Sequence, residues 1–154
     1  MHLQVVNSPL SHNRIWWTNL VCCSLYATRS VSNLKPGCDY WVRLSALINQ
    51  VKVREAVTAE FRTAAHRPDA PLPPKVQNRT RNSLVLRWVA PADNGSHISY
   101  YVLECDDGTD SCKFTEVYRG RNKQFSISKL QASTNYAIRL AASNDLGTRW
   151  TILW

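Results

Sequence analysis

The stretch from Leu130 to Gly147 reads LQASTNYAIRLAASNDLG, and its side chains alternate between two kinds of environment. One face carries Tyr136, Ile138, Leu140 and Ala142, and the other carries Ala137, Arg139 and Ala141. A period of two is typical of a half-buried antiparallel strand. The stretch therefore predicts a β-strand that begins near Tyr136 and follows a corner at Leu130.

The same pattern occurs 96 residues earlier (136 − 40 = 96), where the segment from Leu34 to Ala46 reads LKPGCDYWVRLSA. Leu34 and Tyr40 take the places of the corner leucine and tyrosine. A repeat of this length is the size of an immunoglobulin-like sandwich and exceeds the usual helical repeats. In this earlier copy the inward positions are expected to be Tyr40, Val42, Leu44 and Ala46, with Trp41 outside.

Seven short strands are predicted after the Pro-rich stretch AAHRPDAPLPP at residues 64–74, which suits a stiff linker. Turn residues such as Asp93-Asn94-Gly95 and Asp106-Asp107-Gly108 separate the apolar runs. The strands are expected at residues 75–80, 83–88, 98–105, 113–119, 123–128, 136–142 and 148–154. Their inward residues would include Leu84, Leu86, Trp88, Tyr101, Leu103, Cys105, Phe125 and Ile127. The predicted fold is an all-β sandwich, one near-complete module preceded by the C-terminal part of another.

The repeat also divides the chain into segments. Residues 1–26 match neither copy and are expected to be poorly ordered, residues 27–63 to be the C-terminal part of a truncated module, and residues 75–154 to be a module with a short or altered last strand. Half a sandwich cannot bury its own apolar face. The strands before residue 64 are thus expected to be poorly ordered, to associate, or to be covered by the N-terminal residues Trp16, Trp17, Val21 and Leu25.

Composition argues against several classes of protein. With 44% hydrophobic and 19% charged residues, the chain is too apolar for wholesale disorder. It lacks the run of about 18 apolar residues that a membrane-spanning helix needs. The net charge of +8 is shared by both parts, 7 minus 3 in residues 1–63 and 12 minus 8 in residues 64–154. Such an even distribution favours solubility and loose affinity for acidic surfaces over a nucleic-acid groove.

No residue pattern indicates catalysis, a metal or a cofactor. Ser96 and His97 are adjacent in an extended segment, where their side chains diverge, so no nucleophile and base are expected there. The three aspartates near residue 107 lack the alternating spacing and closing glutamate of a calcium loop. Nucleic acid is not expected either, because no stacking aromatics are interleaved with the basic residues Arg79, Arg81, Arg119, Arg121 and Lys123.

The five cysteines form an odd set without a CxxC pair, which indicates neither a zinc site nor a disulfide framework. Cys105 and Cys112 flank a turn, so a bridge between them is conceivable. Because Cys105 falls on the inward face of its strand, a buried free thiol is the preferred interpretation.

Several of these residues together resemble the fibronectin type III domain. They are Pro73-Pro74, Trp88, the loop from Pro91 to Gly95, Ile98 with Tyr101, the corner of Leu130 and Tyr136, and Arg139, Ala142, Asn144 and Gly147. The resemblance implies that Trp88 fills the centre of the core. It also implies that Tyr136 pins its corner by a hydroxyl-to-backbone bond while its ring packs below Leu130.

A narrower resemblance rests on NRTRNSLVLRWVAPADNGS from Asn78 to Ser96, with the later YVLECDDG and ASNDLGT. These runs are similar to the tandem modules of the fibronectin type III domain-containing protein 3 family. That similarity implies a multi-module scaffold in the cytoplasm, anchored by a C-terminal membrane segment to endoplasmic reticulum or Golgi membranes. This chain departs from the pattern in residues 1–26, in its ending RWTILW and in lacking that segment, so no direct membrane insertion is expected.

The predicted function is a non-enzymatic protein-interaction module without cofactors, whose partner the sequence does not name. Structural core residues would be Trp88, Tyr101, Leu130, Tyr136, Leu34 and Tyr40. Candidate partner contacts are Asp93, Asn94, His97, Tyr100 and Trp41, and the turn at residues 106–111; for each of them, plain solvent exposure is the alternative interpretation. The alternative is a secreted or cell-surface ectodomain, for which the sequons at Asn78 and Asn94 would matter. A cytokine receptor is disfavoured because Trp150 and Trp154 lack the serines of its Trp-Ser-x-Trp-Ser box.

Overall fold

A computed structural model describes residues 2–7, 16–19, 30–48, 51–109 and 113–151 of the chain. In these ranges the chain forms eleven β-strands and no helix, which confirms the predicted all-β class. It divides into two compact units, residues 1–65 and residues 66–154.

The first unit contains one antiparallel sheet in the order β2-β1-β3-β4. Its strands are β1 (His2–Asn7), β2 (Trp16–Asn19), β3 (Asp39–Ile48) and β4 (Val51–Arg62). Strand β1 pairs with β3, so backbone from the N-terminal segment extends the hairpin of β3 and β4. Poor order over residues 1–26 stays a prediction, and Val21 and Leu25 lie outside the described residues.

The β3–β4 hairpin begins with a pair of aromatic rings. Tyr40 lies opposite Phe61, and the two rings stack with their centroids 5.7 Å apart. Tyr40 is buried, Trp41 is exposed and Val42 is half-buried, which follows the predicted alternation. The side chains of Leu44 and Ala46 lie outside the described residues.

The second unit is a sandwich of two antiparallel sheets, with strand orders β5-β6-β9 and β11-β10-β7-β8. The strands are β5 (Lys75–Arg79), β6 (Ser83–Arg87), β7 (Tyr100–Asp106), β8 (Phe114–Gly120), β9 (Gln124–Ser128), β10 (Ile138–Asn144) and β11 (Gly147–Trp150). All seven predicted strands are present, with ends shifted by a few residues. Tyr136 precedes β10 rather than beginning it, since residues 133–137 form no ladder bonds of their own.

Both sheets contribute to one hydrophobic core. Its buried members are Leu86, Trp88, Tyr101, Leu103, Cys105, Ile127, Leu140 and Ala142. Trp88 is only 3% exposed, and its indole packs against the rings of Tyr101 and Tyr118, each with a centroid separation of 5.9 Å. Leu130 and Tyr136 pack against this core while remaining half-buried. In the first unit, Leu34 is also half-buried. Trp88 therefore occupies the central position that the resemblance implies.

The corner tyrosine makes the same hydrogen bond in both copies of the repeat. The Gln131 backbone N–H donates to the Tyr136 hydroxyl at 3.0 Å, and the Lys35 N–H donates to the Tyr40 hydroxyl at 2.8 Å. Donor and acceptor are five residues apart in each case, and the pairs are related by the 96-residue offset (131 − 35 = 96). The expected hydroxyl-to-backbone bond at Tyr136 is thus present.

Replacing Tyr136 by phenylalanine is expected to lower the free energy of unfolding of the second unit by about 1 kcal/mol, because one intramolecular hydrogen bond is lost while the ring stays. Urea denaturation of the full chain would measure the change. Tyr101→Phe is the matched control, since its hydroxyl makes no hydrogen bond to any residue in the described ranges. Equal losses in the two variants would show that the corner bond adds nothing to stability.

Strand β10 is buried on both faces, so the predicted half-buried pattern is wrong for its outer side. Ala141 is 0% exposed although it is not a member of the hydrophobic cluster between the two sheets. It lies between Val102 on β7 and Trp150 on β11 in the ladder. Large side chains on neighbouring strands therefore cover this outer strip, which alternation along a single strand does not reveal.

A buried amide at the end of β10 binds three backbone segments together. The Asn144 side-chain nitrogen donates to the carbonyl oxygens of His66 at 2.9 Å, Ser96 at 3.0 Å and Asp93 at 3.3 Å. Its oxygen accepts the Leu146 N–H at 2.9 Å. Asn144 thereby attaches the start of the unit and the 93–96 loop to the turn between β10 and β11.

Candidate interaction surface

The loop from Asp93 to His97 is ordered by its own polar groups. Asp93 accepts the Gly95 N–H at 3.1 Å, and Asn94 adopts a positive φ of 55°. The Asn94 side-chain nitrogen donates to the Arg67 carbonyl and to an Asp69 carboxylate oxygen, both at 3.0 Å. The His97 side chain is fully exposed, and its Nδ1 lies 3.5 Å from an Asp93 carboxylate oxygen. Asp93 and Asn94 therefore have structural roles within the unit, and their role as partner contacts stays a prediction.

The turn after β7 is held in a similar way. One Asp106 carboxylate oxygen accepts the backbone N–H groups of Gly108 at 3.3 Å and Ala137 at 2.9 Å. This bond joins the turn to the strand entry before β10. Asp110, Ser111 and Cys112 lie outside the described residues.

A cluster of aromatic and charged side chains covers the outer face of the sheet β11-β10-β7-β8. The Arg139 guanidinium lies between two rings, 4.3 Å from the centroid of Phe114 and 4.8 Å from that of Trp150. Glu104, directly opposite on β7, accepts a hydrogen bond from Arg139 Nε. A cation over an aromatic face is favourable, and the carboxylate compensates its charge.

A second arginine makes the same kind of contacts on this outer face, near the start of β7. Arg119 on β8 makes two hydrogen bonds to Glu116, at 2.6 and 3.0 Å, and its guanidinium lies 5.0 Å from the Tyr100 ring centroid. The hydrogen bonds from Arg119 lower the pKa of the Glu116 carboxyl below its ordinary value. Both arginines are thus held in place with their charges balanced.

We call the rings of Tyr100, Phe114 and Trp150 on this surface the aromatic face. Tyr100 was among the predicted contact residues, whereas Phe114 and Trp150 were not. Phe114 lies on β8 and Trp150 lies on β11. The position of Phe114 along β7 also depends on a register shift in the β7–β8 pairing, between Leu103 and Glu104. The predicted contact at Tyr100 and the outward position predicted for Arg139 were the sequence signals for this surface. Trp41, the remaining predicted contact, is exposed in the first unit.

Cys105 is a buried free thiol in the structure, as preferred from the sequence. Burial, followed by the nearby Asp106 charge, raises the pKa of this thiol to about 11. The thiol therefore stays protonated at neutral pH and is a poor nucleophile. Within the described ranges, no group of three or more His, Cys, Asp or Glu residues is placed to hold a metal ion.

The fold agrees with a comparison against protein families. The fibronectin type III domain family matches residues 69–151, which is more than half of the chain. The chain therefore belongs to the fibronectin type III family. Domains of this family are commonly protein-interaction modules and are generally non-enzymatic.

Within this family, the chain is similar to curated proteins that contain fibronectin type III domains. Human fibronectin type-III domain-containing protein 3A is 43% identical over 119 residues, which cover 77% of this chain and 10% of that protein. Mouse fibronectin type III domain containing protein 3C1 is 42% identical over 115 residues, covering 75% of this chain and 8% of that protein. The chain thus spans about a tenth of the length of the curated relatives it matches.

A solved structure is similar to part of this chain in fold. The sixth fibronectin type III domain from human fibronectin type III domain containing protein 3 superimposes with a TM-score of 0.53 and 25% identity. The match covers 60% of this chain and 86% of that domain. Over its described residues, the present chain contains no helix of the length and apolarity that crossing a membrane requires.

Proposed function

We propose that the chain is a scaffold module of a tandem fibronectin type III protein and that it binds a protein partner through the aromatic face. The observation that carries this proposal is the set of three rings that flank charge-balanced arginines. Tyrosine, tryptophan and arginine are the side chains that dominate binding energy in protein interfaces. Since Glu104 and Glu116 already compensate the arginines, the partner surface is largely uncharged.

The test is proximity labelling in cells with the full chain as bait. Replacing both Phe114 and Trp150 by alanine is expected to lower labelling of the specific partner about tenfold or more, because each truncation removes an interfacial anchor. Leu72 and Val89, which are 74% and 72% exposed, provide the matched control when both are replaced by alanine. Labelling that survives in the first variant, with its fold intact by circular dichroism, would contradict the proposal.

We also propose that residues 27–63 are the C-terminal part of an incomplete module and that residues 64–74 link it to the module that follows. The shared corner bond of Tyr40 and Tyr136 supports this assignment.

For the cellular location, we propose the cytoplasm, at the cytoplasmic face of endoplasmic reticulum or Golgi membranes. Free thiols at Cys38 and Cys105 suit a reducing compartment. The Asn94 nitrogen that a glycan would occupy is already engaged in two hydrogen bonds.

A further inference from the structure

Positive charge in the second unit is concentrated on the three-stranded sheet. Strands β5, β6 and β9 carry three cations, Lys75, Arg79 and Arg87, and no Asp or Glu. The strands of the other sheet carry three cations and three carboxylates, namely Arg119, Arg139, Arg149, Glu104, Asp106 and Glu116. The acidic residues of this unit lie instead at positions 69, 93, 104, 106, 107, 110, 116 and 145. The net positive charge, which is spread evenly along the sequence, is therefore unevenly divided between the two sheets.

Arg87 on β6 and the two cations just before β9, Arg121 and Lys123, line a groove of about 750 Å³. It is lined by Arg87, Arg121, Asn122, Lys123, Gln124, Phe125 and Ser126, which we call the basic groove. Arg121 is oriented by a hydrogen bond from its Nε to the Ser99 carbonyl at 3.2 Å. The polar lining adds amide and hydroxyl donors, and Phe125 adds a half-buried apolar surface.

The charges of this groove have no internal compensation. Arg119 and Arg139 on the other sheet each pair with a glutamate. Arg87, Arg121 and Lys123, by contrast, form no ion pair with any residue of the described ranges. Arg87 also lies directly opposite Lys75 in the β5–β6 ladder, and like charges at such positions are destabilising. An anionic ligand would relieve this repulsion.

The edge of β9 indicates what kind of anion fits. Among the described strands β9 pairs with β6 alone, so its other edge offers backbone N–H and C=O groups. An extended peptide can pair with such an edge, whereas a nucleic acid or a lipid headgroup cannot. The groove also presents a single ring, that of half-buried Phe125, too few for stacking successive bases.

We propose that an acidic polypeptide segment binds the basic groove in extended conformation, pairing with the free edge of β9 and placing carboxylates against Arg87, Arg121 and Lys123. The site lies on the opposite sheet from the aromatic face. Loss of either surface can therefore be measured without loss of the other.

Fluorescence anisotropy of the full chain with a labelled 12-residue peptide of alternating Glu and Thr tests the proposal. Replacing Arg87, Arg121 and Lys123 by glutamine is expected to weaken binding roughly thirtyfold, since each exposed ion pair changes an equilibrium by about two- to fivefold. The matched control replaces Arg67, Lys113 and Arg149 by glutamine, which removes the same net charge elsewhere, and should weaken binding less than about threefold. Equal weakening in the two variants would mean that only net charge matters and would overturn the proposal.

Two further probes separate the peptide from other anions. A peptide N-methylated at alternate residues is expected to bind at least about tenfold more weakly, because it cannot donate to the β9 edge. Undiminished binding of that peptide would overturn strand pairing. Tighter binding of a 12-nucleotide single-stranded RNA, or of vesicles containing phosphatidylserine, would overturn the assignment of a polypeptide ligand. Self-association of the glutamine variant with unchanged peptide affinity would show that the cations only protect the edge.

Discussion

Replacing Trp88 by alanine is expected to lower the free energy of unfolding of the second unit by about 3–5 kcal/mol, because it leaves a cavity where both sheets meet. The indole contacts Tyr101 and Tyr118, so two aromatic neighbours lose packing at once. A domain of this size is stable by only about 5–15 kcal/mol. The loss would therefore remove a large share of the stability of this unit.

Hydrogen exchange at the amides of β7 and β10 would measure this change, since these strands report on the second unit alone. Val89→Ala is the control next to Trp88 in sequence, and because Val89 is 72% exposed its truncation should change stability by about 0.5 kcal/mol or less. A Trp88→Ala loss below about 1 kcal/mol would contradict a central role for the indole.

A Trp88→Phe variant separates the ring from its N–H. The Trp88 Nε1 atom is buried and has no hydrogen-bond partner in the described part of the chain. Phenylalanine therefore gives up volume without giving up a hydrogen bond, and the expected loss is about 1.5 kcal/mol. The same exchange measurement should place this variant between the wild type and Trp88→Ala.

The position of Trp88 could be predicted because strand alternation and the surrounding motif both place it inward. The corner at Tyr136 was predictable for a similar reason, since its hydrogen bond reaches only five residues along the chain. Features of this kind depend on residues that are close together in the sequence, so they can be predicted without knowing the strand order. They account for the fold class, the seven strands and most of the core.

The interaction surfaces depend on contacts between distant strands, and the sequence alone does not reveal them. Trp150 reaches Arg139 only because β11 pairs with β10, and Phe114 reaches it only through β8 and β7. The basic groove joins Arg87 to Lys123 across the β6–β9 ladder. The charged residues are visible in the sequence, but which of them share a sheet is known only from the strand order.

The contacts of Asn144 likewise depend on residues that are far away in the sequence. Its place in the family motif was apparent, yet its acceptors come from His66, Asp93 and Ser96, which are up to 78 residues away. No local pattern predicts a donor for three carbonyl groups that distant. The role of the amide emerges only when the loops meet at the end of β10.

Replacing Asn144 by alanine is expected to lower the free energy of unfolding by about 2–3 kcal/mol, because partly buried carbonyl groups lose their donor. The backbone segments that Asn144 holds should open before the rest of the unit unfolds. Amide protons of His66 and Asp69, which bond to the Asn94 and Ala92 carbonyls, should exchange faster than those of β7. Asn135→Ala is the control at an exposed asparagine, with an expected change of about 0.5 kcal/mol or less.

Replacing Asn144 by aspartate gives a sharper test, because a carboxylate keeps the acceptor for Leu146 N–H but turns a negative oxygen toward carbonyl oxygens. Burial and those oxygens would raise the pKa of this carboxyl above its unfolded value of about 3.9. A carboxyl with a raised folded-state pKa destabilises the fold as pH rises, so Asn144→Asp should gain stability relative to wild type on lowering the pH from 7 to 4. Urea denaturation at the two pH values measures the difference. A stability gap that does not change with pH would show that Asn144 does not act as a buried donor.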